Sequence, residues 1–225
     1  MAIVNELLNR LPAATLGLGT AALGRPAYIT TGHGADLAGR SDQIAMEANA
    51  MEVFDFAYGN GIRYFDAARS YGLAEKFLAT WLHKTNPHDV VVGSKWGYTY
   101  VADWLVDAEV QEVKDHSVEA FRRQIAESQE LLGSHLALYQ IHSVTPESAA
   151  LQDAQLLREL GALRDDGVAI GISTSGPGQV GSRPFACAAT PANTSMAAPR
   201  TSRLSFPTPQ LTCFGSVATT IRFLL

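Results

Sequence analysis

Short apolar runs alternate with amphipathic helical segments along the first three quarters of this chain, and this alternation constrains the fold most. Strands separated by helices are typical of a parallel sheet with right-handed crossovers. Continuous β-branched stretches such as DVVVGSK are typical of strands buried on both faces. The sequence therefore predicts an α/β fold with five strands, at Thr15–Thr20, Ile62–Ala67, Asp89–Lys95, Leu136–His142 and Val168–Ser173.

Cap residues and apolar spacing predict four helices between these strands. In the first helix, apolar residues that include Ile44 and Phe54 recur at helical spacing and are expected to face the core. A capping hydroxyl, a proline at the first helical position and an early acid indicate a helix start at Thr145-Pro146-Glu147. The four helices are predicted to begin after Ser41, at about Leu73, after Ser117 and at Thr145.

The sequence changes character after Gly176. Every Asp, Glu, Lys and His lies at or before Asp166, whereas residues 177–225 hold six of the ten prolines and only four charges, all arginine. This tail contains two weak strand signals, at Leu211–Phe214 and Thr219–Leu225, and no helix pattern. A (β/α)8 barrel of the TIM type needs eight strands. The sequence therefore predicts an incomplete TIM-type barrel over residues 1–176, followed by an irregular or disordered tail over 177–225.

Composition excludes several classes of function. The net charge of −5, without a Lys/Arg cluster, argues against a nucleic-acid binder. Two distant cysteines suggest neither a disulfide framework nor a zinc site. No apolar run is long enough to cross a membrane, and the N-terminal segment is a poor signal peptide. The default expectation is a soluble cytoplasmic protein whose oligomeric state the sequence does not indicate.

Polar residues lie at or just after the C-terminal ends of three predicted strands. Asp66 and Tyr71 follow the second strand, Lys95 lies in the third, and His142 ends the fourth. In a parallel α/β barrel these strand ends converge on one face, where active sites form. The sequence therefore predicts that the four residues share one site.

The four residue types suit proton transfer to a carbonyl oxygen. A phenol with a pKa of about 10 is a weak acid at neutral pH, and a neighbouring ammonium lowers that pKa by stabilising the phenolate. A carboxylate would keep the lysine charged and oriented, and an imidazole could bond the substrate oxygen or tune the tyrosine. Such a group could protonate a carbonyl oxygen as hydride arrives at its carbon.

Each of these residues also has an ordinary structural explanation. A lysine at a strand end is more often solvated or salt-bridged, and a histidine on an apolar strand is more often a satisfied core residue. Tyr71 could simply pack on the surface, and Asp66 could cap the following turn. Only their shared placement at strand ends favours the catalytic interpretation.

Two other patterns have competing interpretations. The segment 17–22 fits the dinucleotide fingerprint G-x-G-x-x-A, but that fingerprint must open a helix. Gly24-Arg25-Pro26 follows at once, so a Rossmann fold is disfavoured. The aromatic residues directly after Lys95, beginning with Trp96 and Tyr98, could line a substrate pocket or form a self-packed loop.

The chain resembles the aldo-keto reductase family over about residues 15–176. The resemblance implies a (β/α)8 barrel that binds NADPH without a Rossmann fold, uses no metal and acts on a small-molecule carbonyl substrate. It also implies NAD(P)H-dependent reduction of aldehydes or ketones to alcohols. The matching segments, in the family's order, are GLGTAALG at 17–24, GIRYFDAARSYGLAEKFL at 61–78, VVGSKWG at 91–97, LALYQIHS at 136–143 and GALRDDGVAIGIS at 161–173.

The resemblance also implies roles for the strand-end residues. Tyr71 would be the general acid/base, Lys95 and Asp66 would tune it, and His142 would orient the carbonyl. The cofactor-binding residues would be Gly19, Thr20, Asp66, Ser173, which matches the position that contacts the nicotinamide carboxamide, and Thr174, where the family usually has Asn.

The family pattern does not continue into residues 177–225. In the family, three further strand–helix units follow the fifth strand and hold the adenosine end of the cofactor. A second hypothesis is therefore a truncated, catalytically inactive family member that acts as a binding or interaction module.

Overall fold

A computed structural model describes residues 16–27, 41–145 and 148–174, together with the backbone of two short strands in the tail. All five predicted strands are present, with ends within three residues of the predicted ones. In chain order they are β1 Leu16–Gly19, β2 Tyr64–Asp66, β3 Val91–Trp96, β6 Leu136–Ile141 and β7 Ala169–Thr174.

Seven strands of the described residues form one closed sheet. The five predicted strands pair in chain order, all parallel, which confirms the predicted α/β barrel. The ring is completed by β8 Thr212–Phe214, parallel to β1, and β9 Thr220–Phe223, antiparallel to β7. Both strands fall within the weak strand signals of the tail. The rest of the tail prediction lies outside the described residues.

In the described part of the chain, four helices cover the outer surface of the sheet. They are α1 Gln43–Gly59, α2 Ala74–Thr85, α3 Val118–Leu132 and α4 Ala154–Asp165. Alternate strand residues face them, and Phe54 of α1, Phe65 of β2 and Trp81 of α2 form an aromatic cluster with ring centroids 5.2–5.8 Å apart. The remaining alternate residues face the barrel interior. None of the helices in the described ranges is long and apolar enough to cross a membrane.

The start of α1 differs from the prediction in two details. The cap is Asp42 rather than Ser41, because the Asp42 carboxylate accepts a hydrogen bond from the amide of Ala45 at 2.9 Å. Ile44 was predicted to face the core but is 82% exposed. The buried stripe instead consists of Met46, Ala50, Phe54 and Ala57.

The predicted start of α4 at Thr145 is wrong. A 3₁₀ turn at Ala149–Leu151 intervenes, and the helix begins at Ala154. Asp153 caps it, since its Oδ1 accepts hydrogen bonds from the amides of Gln155 and Leu156 at 2.8 and 3.0 Å. The cap therefore lies directly before the apolar stripe of the helix.

This correction predicts different effects of two substitutions. Asp153→Ala should lower the free energy of unfolding by about 1 kcal/mol, because two helix amides lose their acceptor. Thr145→Ala should change it by less than about 0.5 kcal/mol, as expected away from a cap. Urea unfolding followed by circular dichroism measures both values. A larger effect at Thr145 than at Asp153 would place the helix start where the sequence pattern suggested.

The insertion between β3 and α3 contains a hairpin that the sequence analysis did not predict. Its strands, β4 Tyr98–Tyr100 and β5 Glu112–Lys114, pair antiparallel. The hairpin follows the C-terminal end of β3 and carries Tyr98 to the barrel mouth, where its ring centroid is 5.1 Å from that of His142.

Candidate active site

The pleat of the strands explains why Asp66 and Lys95 meet. Phe65 and Trp96 pack in the core beneath the helices, so their strand neighbours Asp66 and Lys95 face the barrel interior. Both polar side chains are buried, at 3% and 0% exposure. They form an ion pair between Lys95 Nζ and Asp66 Oδ2. The structure thus brings these two strand-end residues together.

Tyr71 completes this buried group. Lys95 Nζ lies 3.3 Å from the Tyr71 hydroxyl and 3.1 Å from the carbonyl oxygen of Ala67. It also lies 4.9 Å from the centre of the Tyr71 ring. A cation at this distance stabilises a phenolate more than a neutral phenol. The lysine is therefore placed to make Tyr71 a better acid.

His142 lies on the other side of Tyr71, with the two rings edge to face and their centroids 5.7 Å apart. Its Nδ1 is 3.4 Å from the Ser70 hydroxyl. Burial, and then the charge of Lys95, hold the pKa of His142 well below its usual value. The imidazole is therefore neutral at neutral pH. If Ser70 donates to Nδ1, the ring hydrogen lies on Nε2 and is free to bond a substrate oxygen.

Close contact between two loops fixes the position of Tyr71. The amide of Leu73 donates to the carbonyl oxygen of Gly24 at 2.7 Å. A Cβ on Gly72, which has a φ of 61°, would lie 2.3 Å from that oxygen, and a Cβ on Gly24 would lie 2.0 Å from the Tyr71 carbonyl oxygen. Both positions therefore require glycine for space, and Gly72 also requires it for its conformation.

Arg25 is a buried residue at the mouth that sequence reasoning missed. Its Nη1 donates to the carbonyl oxygen of Ser70 and to Glu112 Oε2 of the hairpin, at 3.1 Å each, and its guanidinium lies 5.9 Å from the Tyr100 ring centre. It therefore ties together the β1 loop, the Tyr71 loop and the hairpin. In the sequence it stands in a Gly-Arg-Pro turn, and no local pattern marks it as buried.

A buried carboxylate anchors the far end of the Tyr71 loop. Glu75, at the start of α2, is paired with Arg69 and accepts a hydrogen bond from the Ser128 hydroxyl at 2.8 Å. Arg69 also pairs with Glu127 of α3. The loop between Asp66 and α2 is thus held at several points, which limits movement of Tyr71.

The predicted cofactor residues lie on the same face of the barrel. Gly19 pairs in register with Asp66, and Thr20 donates to the Asp66 carbonyl oxygen through its amide at 2.9 Å and its hydroxyl at 3.0 Å. Ser173 Oγ accepts a hydrogen bond from the amide of Ser143 at 3.0 Å, which leaves its own proton free to be donated. Thr174 ends β7, and its side chain lies outside the described residues.

The two predicted pocket residues occupy different places. Tyr98 reaches the mouth, and burial and then the Glu112 charge raise the pKa of its phenol. Trp96 is fully buried outside the barrel, with its ring centroid 5.1 Å from that of Phe121. The structure therefore does not bring Trp96 to the mouth with the others. A cavity of about 390 Å³ beside the Tyr71 loop is lined instead by Gln43, Gly72, Leu73, Tyr100, Val101, Asp103 and Trp104.

Across the ranges that the structure describes, no group of three His, Cys, Asp or Glu side chains could hold a metal ion.

Acid should destabilise the fold through His142. The unfolded chain protonates this imidazole below about pH 6.5, whereas the folded state keeps it neutral, so the unfolded state binds more protons. The contribution of His142 to the free energy of unfolding is therefore fully present above about pH 6.5 and is lost as the pH falls below it. In His142→Gln, the free energy of unfolding should therefore fall less steeply with decreasing pH, by up to about 1.4 kcal/mol per pH unit. Urea unfolding at a series of pH values measures the slope.

An exposed histidine provides the control for this experiment. His83→Gln, in the last turn of α2, makes the same replacement at an exposed position. A residual slope is expected in the His142 variant, because burial also lowers the pKa of His116. Equal slopes in the wild-type protein and the His142 variant would contradict a neutral imidazole.

Several known proteins are similar to this chain in sequence and fold. A family model described as the aldo/keto reductase family matches residues 15–183. D-threo-aldose 1-dehydrogenase from Pseudomonas sp is 32% identical over 181 residues, which are 72% of this chain and 52% of that protein. A crystal structure of a Pseudomonas aeruginosa protein assigned as an aldo-keto reductase aligns with a TM-score of 0.52 and 26% identity, over 71% of this chain and 54% of that one. The chain spans about half the length of these relatives.

Proposed function

Because this chain belongs to the aldo/keto reductase family, we propose that it transfers hydride between NADPH and a small carbonyl compound, with Tyr71 as the proton donor. One observation carries the proposal. The Tyr71 hydroxyl lies 3.3 Å from a fully buried lysine ammonium, which is itself paired with the Asp66 carboxylate. A buried phenol, ammonium and carboxylate in this order suit proton transfer at a barrel mouth.

The positive charge of Lys95 helps Tyr71 to give up its proton. As hydride reaches the carbonyl carbon, the oxygen gains negative charge and takes the phenolic proton of Tyr71. The ammonium of Lys95 stabilises the phenolate that remains, and Asp66 keeps Lys95 charged in its buried position. General acid catalysis of this kind contributes about 10²–10⁴-fold to a rate.

His142 has the second role. A neutral imidazole can donate one hydrogen bond from Nε2 to the carbonyl oxygen without competing with Tyr71 as an acid. Its lowered pKa keeps it in this form, and the edge-to-face contact with Tyr71 supports a role for both groups at the same substrate oxygen. His142 therefore orients and polarises the substrate.

The residues present fit the nicotinamide end of NADPH, which supplies the hydride when bound. Ser173 has a hydroxyl proton available for the carboxamide oxygen, because its acceptor side is used by the amide of Ser143. Gly19 and Thr20 lie next to Asp66 on the neighbouring strand end. We propose that these residues and Thr174 hold the nicotinamide, and that no metal takes part.

The substrate class is proposed as small aldehydes, ketones or aldoses. The dehydrogenase relative is named for a D-threo-aldose, which supports a sugar-like substrate. The cavity beside the Tyr71 loop supports it further, since Tyr100 and Trp104 offer apolar ring surfaces and Gln43 and Asp103 offer polar groups.

Two measurements on the purified chain test the proposal. Titration with NADPH, followed by cofactor fluorescence, should give saturable binding. Loss of NADPH absorbance should then depend on an added aldehyde, ketone or aldose. Binding without carbonyl-dependent oxidation, or no binding at all, would favour the alternative of a catalytically inactive family member that acts as a binding or interaction module.

A further inference from the structure

Tyr64 lies beneath the candidate catalytic residues, on the same face of β2 as Asp66. Successive strand residues point to opposite faces, so residues 64 and 66 both face the barrel interior. The Tyr64 side chain is fully buried, and its hydroxyl lies 3.4 Å from Asp66 Oδ1. Lys95 binds the other carboxylate oxygen, Oδ2. The carboxylate is therefore contacted on both of its oxygens.

Gly93 on the neighbouring strand leaves room for the Tyr64 hydroxyl. It pairs in register with Asp66, and a Cβ added at Gly93 would lie 2.1 Å from the hydroxyl oxygen and 2.9 Å from Cζ. Its backbone is outside the left-handed region, so space rather than conformation requires glycine here. A glycine weakens a strand interior and often marks a close approach. Any side chain at this position would displace the Tyr64 ring.

We propose that Tyr64 is a positioning residue for the reaction proposed above, on which this inference rests. Its hydroxyl holds the Asp66 carboxylate in one orientation, and the carboxylate in turn holds Lys95 within reach of Tyr71. The contacts run through four buried side chains in sequence, from Tyr64 to Asp66 to Lys95 to Tyr71.

The ordinary explanation for Tyr64 is a core phenol that has found an acceptor. The distance of 3.4 Å is long for a hydroxyl donor, whose usual value is about 2.7–2.8 Å, so the contact itself adds little to the stability of the fold. Without the hydroxyl, the carboxylate can turn towards Lys95 and draw its charge away from Tyr71. Within the described residues, the charged or titratable groups around this site include Asp66, Lys95, Tyr71, His142, Arg25, Glu112, Tyr98, His116 and Lys114.

Tyr64→Phe tests this role, because it keeps the ring and removes only the hydroxyl. Ionisation of Tyr71 is followed by NMR titration of protein carrying carbon-13 at tyrosine Cζ. The chain has seven tyrosines, so the Tyr71 signal is identified by its loss in Tyr71→Phe. The Tyr71 midpoint should rise by about 0.5–1 pH unit in Tyr64→Phe, because the Lys95 charge acts on it less strongly. In turnover, kcat should fall several-fold with an unchanged KM for the carbonyl.

Tyr139→Phe is the matched control. Tyr139 is equally buried but faces the helices, and its hydroxyl lies 3.3 Å from that of Ser128. This variant should leave the Tyr71 midpoint and kcat unchanged. Gly93→Ala, which displaces the Tyr64 ring, should reproduce the midpoint shift of Tyr64→Phe.

An unchanged Tyr71 midpoint in Tyr64→Phe, or an equal shift in Tyr139→Phe, overturns the inference. The titration requires no turnover, so it decides the role of Tyr64 even for a protein without carbonyl reductase activity. Lack of activity in the wild-type chain would overturn the proposed function alone. If Gly93→Ala does not fold, the result for Tyr64→Phe alone decides whether Tyr64 is a positioning residue.

Discussion

Replacing Tyr71 with phenylalanine is expected to lower carbonyl-dependent NADPH oxidation by about 10²–10⁴-fold, the usual contribution of a general acid. The variant keeps the ring that packs against His142 and removes only the proton donor. NADPH affinity should therefore stay within about twofold of the wild-type value, since the loss falls on the transition state. Steady-state kcat and a fluorescence titration measure the two quantities.

The control is Tyr58→Phe, which removes another phenol at the rim of the fold. Its hydroxyl donates to Asp89 at 2.9 Å, in the last turn of α1 and just before β3, whereas the mouth residues follow the C-terminal ends of the strands. This variant should retain wild-type kcat. Full activity in Tyr71→Phe would show that another group supplies the proton.

Replacing Lys95 with methionine is expected to have a large effect on both stability and activity. The change leaves the Asp66 carboxylate buried without its cation, and breaking a buried pair in this way costs about 3–5 kcal/mol. It also removes the charge beside the Tyr71 hydroxyl, so activity should fall to the level of Tyr71→Phe. Urea unfolding and kcat measure the two losses.

A second substitution separates the two roles of Lys95. In Lys95→Met combined with Asp66→Asn, neither member of this pair leaves a buried charge, so most of the lost free energy of unfolding should return. Activity should not return, because the phenolate would still lack its cation. Recovery of activity together with stability would mean that Lys95 matters only for the fold.

The parts of this fold that could be predicted from the sequence depend on local patterns. Strands β1, β2, β3, β6 and β7 are short apolar runs, and parallel pairing brings their C-terminal ends together regardless of detail. For this reason Asp66, Tyr71, Lys95 and His142 could be placed at one mouth without coordinates. Their separate roles could not be deduced from spacing and came from the family resemblance.

The errors have specific physical causes. At α4, two capping signals compete, and Asp153 is adjacent to the apolar stripe whereas Thr145 is not. The position of Trp96 outside the barrel could have been predicted from the strand alternation, because an inward Lys95 requires an outward neighbour. Arg25 gave no such signal, because its partners Ser70 and Glu112 are distant in sequence. Strand alternation places Tyr64 on the inner face with Asp66, but the space that Gly93 leaves for its hydroxyl is visible only in the folded arrangement.

The closure of the barrel could not be predicted either. Strands β8 and β9 are three and four residues long, and their partners β1 and β7 lie far away in the chain. When short segments pair with strands that are far away in the chain, the sequence of each segment shows only a β-forming composition and does not indicate its partner. Composition therefore indicates the two strands in the tail but not the strands with which they pair.

Transfer of deuterium from the cofactor tests the central claim most directly. The wild-type chain is incubated with NADPH deuterated at both C4 positions and an aldehyde that it turns over, and the alcohol product is analysed by mass spectrometry. We expect one deuterium on the carbinol carbon of each product molecule, and almost no labelled product from Tyr71→Phe. Alcohol without the label, or label transfer undiminished in Tyr71→Phe, would contradict hydride transfer to a carbonyl protonated by Tyr71.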